Sequence, residues 1–451
     1  MVQRMAGNIK KYRRICPAFV CFYALLCFVS ACTAHRARQT ERMVRRSSVF
    51  DAAFTGFVLM DAATGRIWCD NHGDKYFTPA SNTKTLTLAA ALANLGDTLP
   101  AFRYATAGDT LYVVPTGNPA FLHPDFAVWQ RGFQFLKRHP AAHIVVCDPA
   151  PALVPYGPGW MWDDLSSESA PERSTLPVFG NMRLLRPATA DSLCAAPHYW
   201  NRFLKKTSAD SAQVLPEWQN NLIRYDRRAR FPPDYEAWVP VHDTRMYNRL
   251  LLADTLGRPL SFMERVPDKL SWKTWRDVPS DTVYRKLMYQ SDNFLAEQLL
   301  LMSAVAATGK WDAAAMIQKM KEGPFAALSQ PVVWTDGSGL SRYNLLTPQS
   351  NAQILRQLWQ AQPQQRLLSI FPAGGVSGTI ASWYGNEITG QGPFVFAKTG
   401  TMTAVHCLSG YLITRKGRVL IFSFMHNNFR GSSKGYKEEM QRILRSIRDK
   451  W

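Results

Sequence analysis

Apolar positions along the chain alternate first, lose their regularity over a long middle stretch, take up helical spacing, and alternate again before the end. Phe54-Thr55-Gly56-Phe57-Val58-Leu59-Met60 and Arg66-Ile67-Trp68-Cys69 read as two strands about a turn at Ala63-Thr64-Gly65. Leu86, Leu88, Ala89, Ala90, Ala91, Leu92 and Leu95 then make a segment apolar around most of a helical circumference, which predicts a helix buried on nearly all sides. Thr78 is placed to cap that helix, with Pro79 at its first position and Gly96 just past its end. Between about Asp97 and Asp268 prolines and tryptophans are frequent. Strand-like pieces at residues 110–114 and 142–146 alternate with turns there, and a polar stretch runs from 205 to 213. After Asp281, helical spacing returns in Val283, Leu287, Met288, Phe294, Leu295, Leu299 and Leu300. Residues 410–414 and 419–424 read as antiparallel strands about Lys416-Gly417. Tyr436, Met440, Ile443, Leu444 and Ile447 then share one face of a final helix. Strands near both termini predict one sheet built from the two ends of the chain. The expected organisation is a discontinuous α+β domain, 48–96 and 269–451, around a strand-rich insert at 97–268.

The 451 residues are 46% apolar and 12% aromatic, enough for two cores and incompatible with a disordered chain. Arg4, Lys10, Lys11, Arg13 and Arg14 form a basic leader without an acid, followed by an apolar run from Pro17 to Val29 and then Val29-Ser30-Ala31-Cys32. The run is too short to span a bilayer, which takes about 20 apolar residues, and suits a secretory signal. The small residues before Cys32 resemble the lipobox of bacterial lipoproteins. The expectation is a signal ending at Cys32, lipidation of that thiol, and a periplasmic protein anchored to the membrane.

Without the leader the chain has 48 basic against 34 acidic residues, a balance of +14. Five of those arginines lie in residues 33–47, which read as a polar tether. No nucleic-acid motif accompanies the charge, so it points to anionic lipid or envelope polymer. Cys69, Cys147, Cys194 and Cys407 have no metal-ligand spacing and read as free thiols.

Three short motifs carry candidate chemistry: Ser81-x-x-Lys84, Ser291-Asp292-Asn293 and Lys398-Thr399-Gly400. A Ser-x-x-Lys alone turns up about once or twice by chance in a chain of this size; all three in this order are far more specific. Ser81 and Lys84 are three apart at a helix start and share one face. A serine hydroxyl becomes a good nucleophile when a neighbouring base takes its proton. Lys84 fits that role only as the neutral amine, with its pKa lowered by burial or by a second cation such as Lys398. Ser291 is expected to relay a proton from Lys84 to the leaving amine, and Asn293 to hold the substrate amide. Lys398-Thr399-Gly400 reads as an edge strand that an extended peptide joins by backbone pairing, with Thr399 and Lys398 on its terminal carboxylate. The N–H groups of Ser81 and Thr401 are the candidate oxyanion hole. This chemistry needs no metal or other cofactor.

The trio is the signature of penicillin-binding proteins and related β-lactamases. The chain resembles the penicillin-binding protein 4-type D-Ala-D-Ala carboxypeptidases and endopeptidases, low-molecular-mass class C proteins with a large insert between the first two motifs. The resemblance runs from about Phe54 to Asn427. It takes in Pro79-Ala80-Ser81-Asn82-Thr83-Lys84, Ser291-Asp292-Asn293 with Ala296-Glu297, Asp336-Gly337-Ser338-Gly339-Leu340-Ser341-Arg342, Gly378-Thr379, and Lys398-Thr399-Gly400-Thr401 with Leu408-Ser409-Gly410-Tyr411. The 206 residues between Lys84 and Ser291 suit that family and are too many for a compact β-lactamase. The resemblance implies a β-lactamase/DD-peptidase-like transpeptidase domain, an antiparallel sheet flanked by helices, with a strand-rich inserted domain. It implies peptidoglycan stem peptides as substrate and β-lactams as covalent inhibitors.

By the same resemblance, Asp164, in Gly159-Trp160-Met161-Trp162-Asp163-Asp164, meets the amino group of a diaminopimelate side chain. Arg342 meets its carboxylate and Met402 packs on its methylenes. A β-lactamase of the class that uses a glutamate with an asparagine four residues on is disfavoured, because none of Glu297, Glu322 and Glu387 has that partner. A catalytically inactive envelope-binding protein on the same scaffold would have no use for an activated serine.

Overall fold

A computed structural model describes residues 34–208, 214–385 and 392–451; the leader and Cys32 lie outside them. Both ends of the chain meet in one antiparallel sheet. β1 (Phe54–Asp61) and β2 (Ile67–Asn71) come from the N-terminal end; β3 (Val395–Met402), β4 (Val405–Ile413) and β5 (Val419–Asn427) come from the C-terminal end, in the order β3-β4-β5-β1-β2. The seam is the β1–β5 pairing, with Phe57 opposite Phe424. β1 and β5 are buried at almost every position because both sheet faces are covered. Val58, Met60 and Ile421 pack under α1 (Lys84–Asn94), α2 (Asn293–Thr308) and α3 (Pro348–Ala361). Phe57, Leu59, Phe422 and Phe424 meet Met440, Ile443, Leu444 and Ile447 of α4 (Lys434–Lys450) on the other side.

The insert has its own core around Phe102, Leu111, Ile144, Trp200 and Leu251. Its main sheet orders Leu260–Met263, His143–Cys147, Thr110–Pro115, Thr98–Ala107 and Lys273–Pro279, and two three-stranded sheets complete it. The strand Lys273–Pro279 moves the far boundary past the expected Asp268. Its sequence, Lys-Thr-Trp-Arg-Asp-Val-Pro, is too polar to signal a strand, and pairing with Thr98–Ala107 makes it one.

Two local expectations are corrected. Residues 34–45 are a helix rather than a tether. Ala37, Thr40 and Val44 recur at one face, and Thr40 and Val44 are buried; Ala37 O accepts from Cys69 Sγ at 3.4 Å. Weakly apolar small residues carried that pattern, and the arginines between them masked it. Thr78 does not cap α1 either. Its N–H donates to Asn427 Oδ1 (2.7 Å), and α1 is entered through a 3-10 turn, Ala80–Thr83, with no side-chain cap. Gly96 follows the helix at φ +69°, the left-handed conformation expected there.

Polar side chains pin α1 to the sheet. Asn351 of α3 is fully buried and donates to Ser409 Oγ (2.8 Å) and Ser423 Oγ (3.2 Å) while accepting from Thr85 Oγ1 (3.2 Å). Ser409 Oγ in turn donates to Asn82 Oδ1 at 3.0 Å, beside Ser81. The network joins α1, α3, β4 and β5, and a buried network left half-satisfied is costly. We expect Asn351→Leu to destabilise the protein by about 2–3 kcal/mol, measured by urea denaturation; an unchanged midpoint would contradict this role.

Candidate active site

Ser81 sits in the tight turn before α1, half-exposed, where Ala80 takes φ +46°. That backbone is held from two sides. A Cβ on Gly400 would lie 2.5 Å from Pro79 O and 3.0 Å from Ser81 N, so β3 passes against the turn as only a glycine allows. A Cβ on Gly339, itself at φ +81°, would lie 2.0 Å from Ala80 O. One helical turn from Ser81, Lys84 is fully buried, and its Nζ donates to Ser81 Oγ (2.9 Å), Asn293 Oδ1 (2.6 Å) and Ser338 O (2.7 Å). Burial pushes the Lys84 ammonium down to about 8, against the opposing pull of the Asp336, Asp292 and Glu297 carboxylates.

The second and third motifs close on the same point. Ser291 ends the helix Ser280–Gln290 in the left-handed conformation (φ +59°), uncommon for a residue with a side chain. Asp292 caps α2 by accepting from Leu295 N (2.9 Å), which sets Asn293 at the helix start. Lys398 of β3 is fully buried and donates to Ser291 Oγ and Thr399 O, both at 2.7 Å. Its pKa lies well below the ordinary lysine value, through burial first and then the charge of Lys84. One expectation changes here: the direct partner of Ser291 is Lys398, not Lys84. Of the two causes expected to lower Lys84, burial is the main one.

Sequence reasoning assigned no role to the groups that hold these residues. Asp336 is buried and accepts from Gly339 N, Ser341 N and Asn344 Nδ2 at 2.7–2.8 Å, folding residues 336–344 so that Ser338 O faces Lys84. Glu297, one turn after Asn293, accepts from Ser338 N at 2.7 Å. Burial, with Asp336 nearby, pushes its carboxyl up to about 7. His406 pairs with Thr401 Oγ1 at 2.9 Å, and burial holds its imidazole down at about 3, so it stays neutral. Thr379 meets Thr399 Oγ1 at 2.7 Å. An acid followed by small residues, Asp336-Gly-Ser-Gly, was the available signal for a folded acceptor loop.

The insert reaches this centre. Trp160 Nε1 donates to Asp336 Oδ2 (2.9 Å), and Asn293 Nδ2 donates to Ser169 O (2.8 Å), so the loop between them is tied at both ends to residues around Lys84. Asp164 lies in that loop, in the turn Trp162–Ser166, accepting from Met161 N at 3.1 Å. Arg342 is exposed and donates to Thr403 O (3.3 Å), at the end of β3 where Met402 lies half-buried. Asp164 is half-buried and Arg342 exposed, and no ion pair joins them among the described residues; their loops adjoin, since a Cβ on Gly159 would lie 2.7 Å from Ser341 Oγ. Among the described residues no three His, Cys, Asp or Glu side chains cluster as a metal site.

Comparison with known proteins agrees with this architecture. The family model for D-Ala-D-Ala carboxypeptidase 3 (S13) matches residues 40–191 and 276–447. A Mycobacterium tuberculosis carboxypeptidase is 42% identical over 96 residues, 20% of this chain and 21% of that protein. The D-alanyl-D-alanine carboxypeptidase DacB of Haemophilus influenzae is 29% identical over 157 residues, 34% of this chain and 32% of its own. These matched segments thus span a third or less of the curated relatives. Across the whole fold, the crystal structure of penicillin binding protein 4 from Haemophilus influenzae superimposes with a TM-score of 0.68 at 19% identity, covering 91% of this chain and 98% of that one.

If neutral Lys84 is the base, acylation of Ser81 by a β-lactam should rise about tenfold per pH unit below about 8 and level off above it. The protonated amine, dominant on the acid side, has no lone pair to offer. Second-order acylation rates from pH 5.5 to 9.5 check this, and a flat profile would remove Lys84 from the role. Lys84→Met should lower the rate by roughly 100- to 10,000-fold. Gly339→Ala, which must displace Ala80, should lower it by about 100-fold without touching any reacting group.

Proposed function

This chain belongs to the D-Ala-D-Ala carboxypeptidase 3 (S13) family, and on that premise we propose that it is a serine-type D-Ala-D-Ala carboxypeptidase or endopeptidase of peptidoglycan stem peptides. The observation that carries the reading is the contact of a buried, pKa-lowered Lys84 amine with Ser81 Oγ at 2.9 Å, with Lys398 and Ser291 paired alongside.

The stem peptide lies along β3, its terminal carboxylate toward Thr399 and Lys398. Neutral Lys84 takes the Ser81 proton as the hydroxyl oxygen bonds to the penultimate D-alanine carbonyl, and the N–H groups of Ser81 and Thr401 receive the oxyanion. Collapse of that intermediate breaks the C–N bond. The leaving amine takes the proton that Lys84 removed, passed on through Ser291, whose hydroxyl Lys398 orients by donating to it. Water then hydrolyses the Ser81 ester by the reverse proton path. When the amine belongs to a terminal D-alanine the step is trimming; when it belongs to a neighbouring stem it opens a cross-link. A β-lactam presents its ring carbonyl at the same place, and its amine stays tethered after ring opening, which blocks the route for water.

Asp164, Arg342 and Met402 would contact a diaminopimelate side chain, acid to ammonium and guanidinium to carboxylate. Export by the leader and lipid anchoring at Cys32 in the periplasm complete the reading. The leader composition and the basic balance of the remaining chain support it. No helix among the described residues is long and apolar enough to cross a membrane.

A fluorescent penicillin should label the wild-type protein and leave Ser81→Ala unlabelled, and nitrocefin should be turned over slowly, with a trapped acyl-enzyme. Incubation with intact peptidoglycan should release free D-alanine or cleaved dimers, read by mass spectrometry. Absence of a Ser81-dependent label would overturn the proposal, and rapid multiple turnover of nitrocefin would reassign the protein as a β-lactamase.

A further inference from the structure

Away from the peptide cleft, a cavity of about 530 Å³ opens between insert residues 150–158 and the helices Asn293–Thr308 and Ala313–Glu322. Its size is that of a small-molecule site, and none of Ser81, Lys84, Ser291, Asn293 and Lys398 lines it. Leu153, Val154, Leu301 and Trp311 make its walls largely apolar. The exception is Arg173, whose side chain is 8% exposed. Its Nη2 donates to Tyr156 O, its Nη1 lies 3.8 Å from Glu297 Oε2, and its Nε has no hydrogen-bond partner among the described residues. Glu297 Oε2 is likewise without a hydrogen bond, so this charge pair is loose. Asp312, the other charged wall residue, is exposed and caps its helix by accepting from Ala314 N at 2.9 Å.

A guanidinium that lines an apolar chamber and is only loosely paired, 3.8 Å from its carboxylate, selects an anion carrying an apolar body. We propose that this cavity binds a small amphipathic carboxylate, its acid on Arg173 and its chain against Leu153, Leu301 and Trp311. The occupant competes with Glu297 for the guanidinium. Glu297 holds Ser338 N, and Ser338 O accepts from Lys84, so the chamber is separated from the base by three consecutive contacts. Binding at this site does not rest on the function proposed above.

Calorimetric titration of the full-length protein with hexanoate, and with 1-hexanol as the uncharged probe of the same chain, tests the site without turnover. Hexanoate should bind once per chain and at least tenfold more tightly than hexanol. Ala314→Trp, at the exposed rim, should abolish binding while leaving labelling by fluorescent penicillin intact, which separates this proposal from the catalytic one. Arg173→Met should weaken binding at least tenfold, and Arg173→Lys, which keeps the charge, should recover part of it. Protein already acylated by penicillin should bind hexanoate as before. No saturable heat, equal affinity for hexanol, unchanged binding in Ala314→Trp, or loss of binding after acylation would each overturn the site.

Discussion

Two lysine amines withdrawn from water within one cleft are the constraint around which this protein is built. A buried ammonium left unpaired costs several kcal/mol, so it sheds its proton or collects acceptors. Here both responses occur together. Lys84 has three oxygen acceptors and Lys398 two, and both have pKa values below the ordinary lysine range. The acceptors come from the turn before α1, the start of α2, the 336–344 loop, the Ser291 turn and β3. The same segments shut out water, and that burial lowers the pKa of both amines while the acceptors offset part of its cost, so the low pKa is a property of the assembled fold rather than of the Ser-x-x-Lys sequence.

The insert takes part in that assembly. Its loop is anchored by Trp160 on Asp336, the residue that shapes the acceptor loop, and by Ser169 on Asn293, whose other amide atom faces Lys84. Asn293 is thereby oriented at both ends, with its oxygen toward the base and its nitrogen toward the insert. Arg173 adds a third junction, opposite Glu297, at the wall of a chamber distinct from the peptide cleft. A domain that the chain writes as an interruption thus supplies part of the support for Asn293 and the 336–344 loop.

Much of the framework was legible because it rests on strong periodicity. The β1–β2 and β4–β5 hairpins, α2 and the apolar face of α4 all follow alternation or helical spacing in large side chains, and their neighbours in space agree with it. Elements whose stability comes from pairing or docking were not legible. The helix at 34–45 packs through Ala37, Thr40, Met43 and Val44, a weak apolar pattern broken by arginines, and the strand Lys273–Pro279 is polar and exists because an edge of the insert sheet accepts it. The α1 entry differs for a related reason. Thr78 had the right chemistry for a cap, but contacts from β3, β5 and Gly339 set the backbone there first.

By itself the sequence determined which residue types were available for catalysis and their order: a serine and lysine one turn apart, a Ser-Asp-Asn turn, and a lysine on a strand next to a glycine. Those are local facts, since spacing along a helix or strand decides which side chains share a face. Only the tertiary structure decided which lysine meets which serine, that burial is the main cause lowering Lys84, and that Asp336, Glu297 and the insert loop hold the acceptors in place. Desolvation and hydrogen-bond partnership depend on what packs around a group, and here the partners lie hundreds of residues apart in the chain.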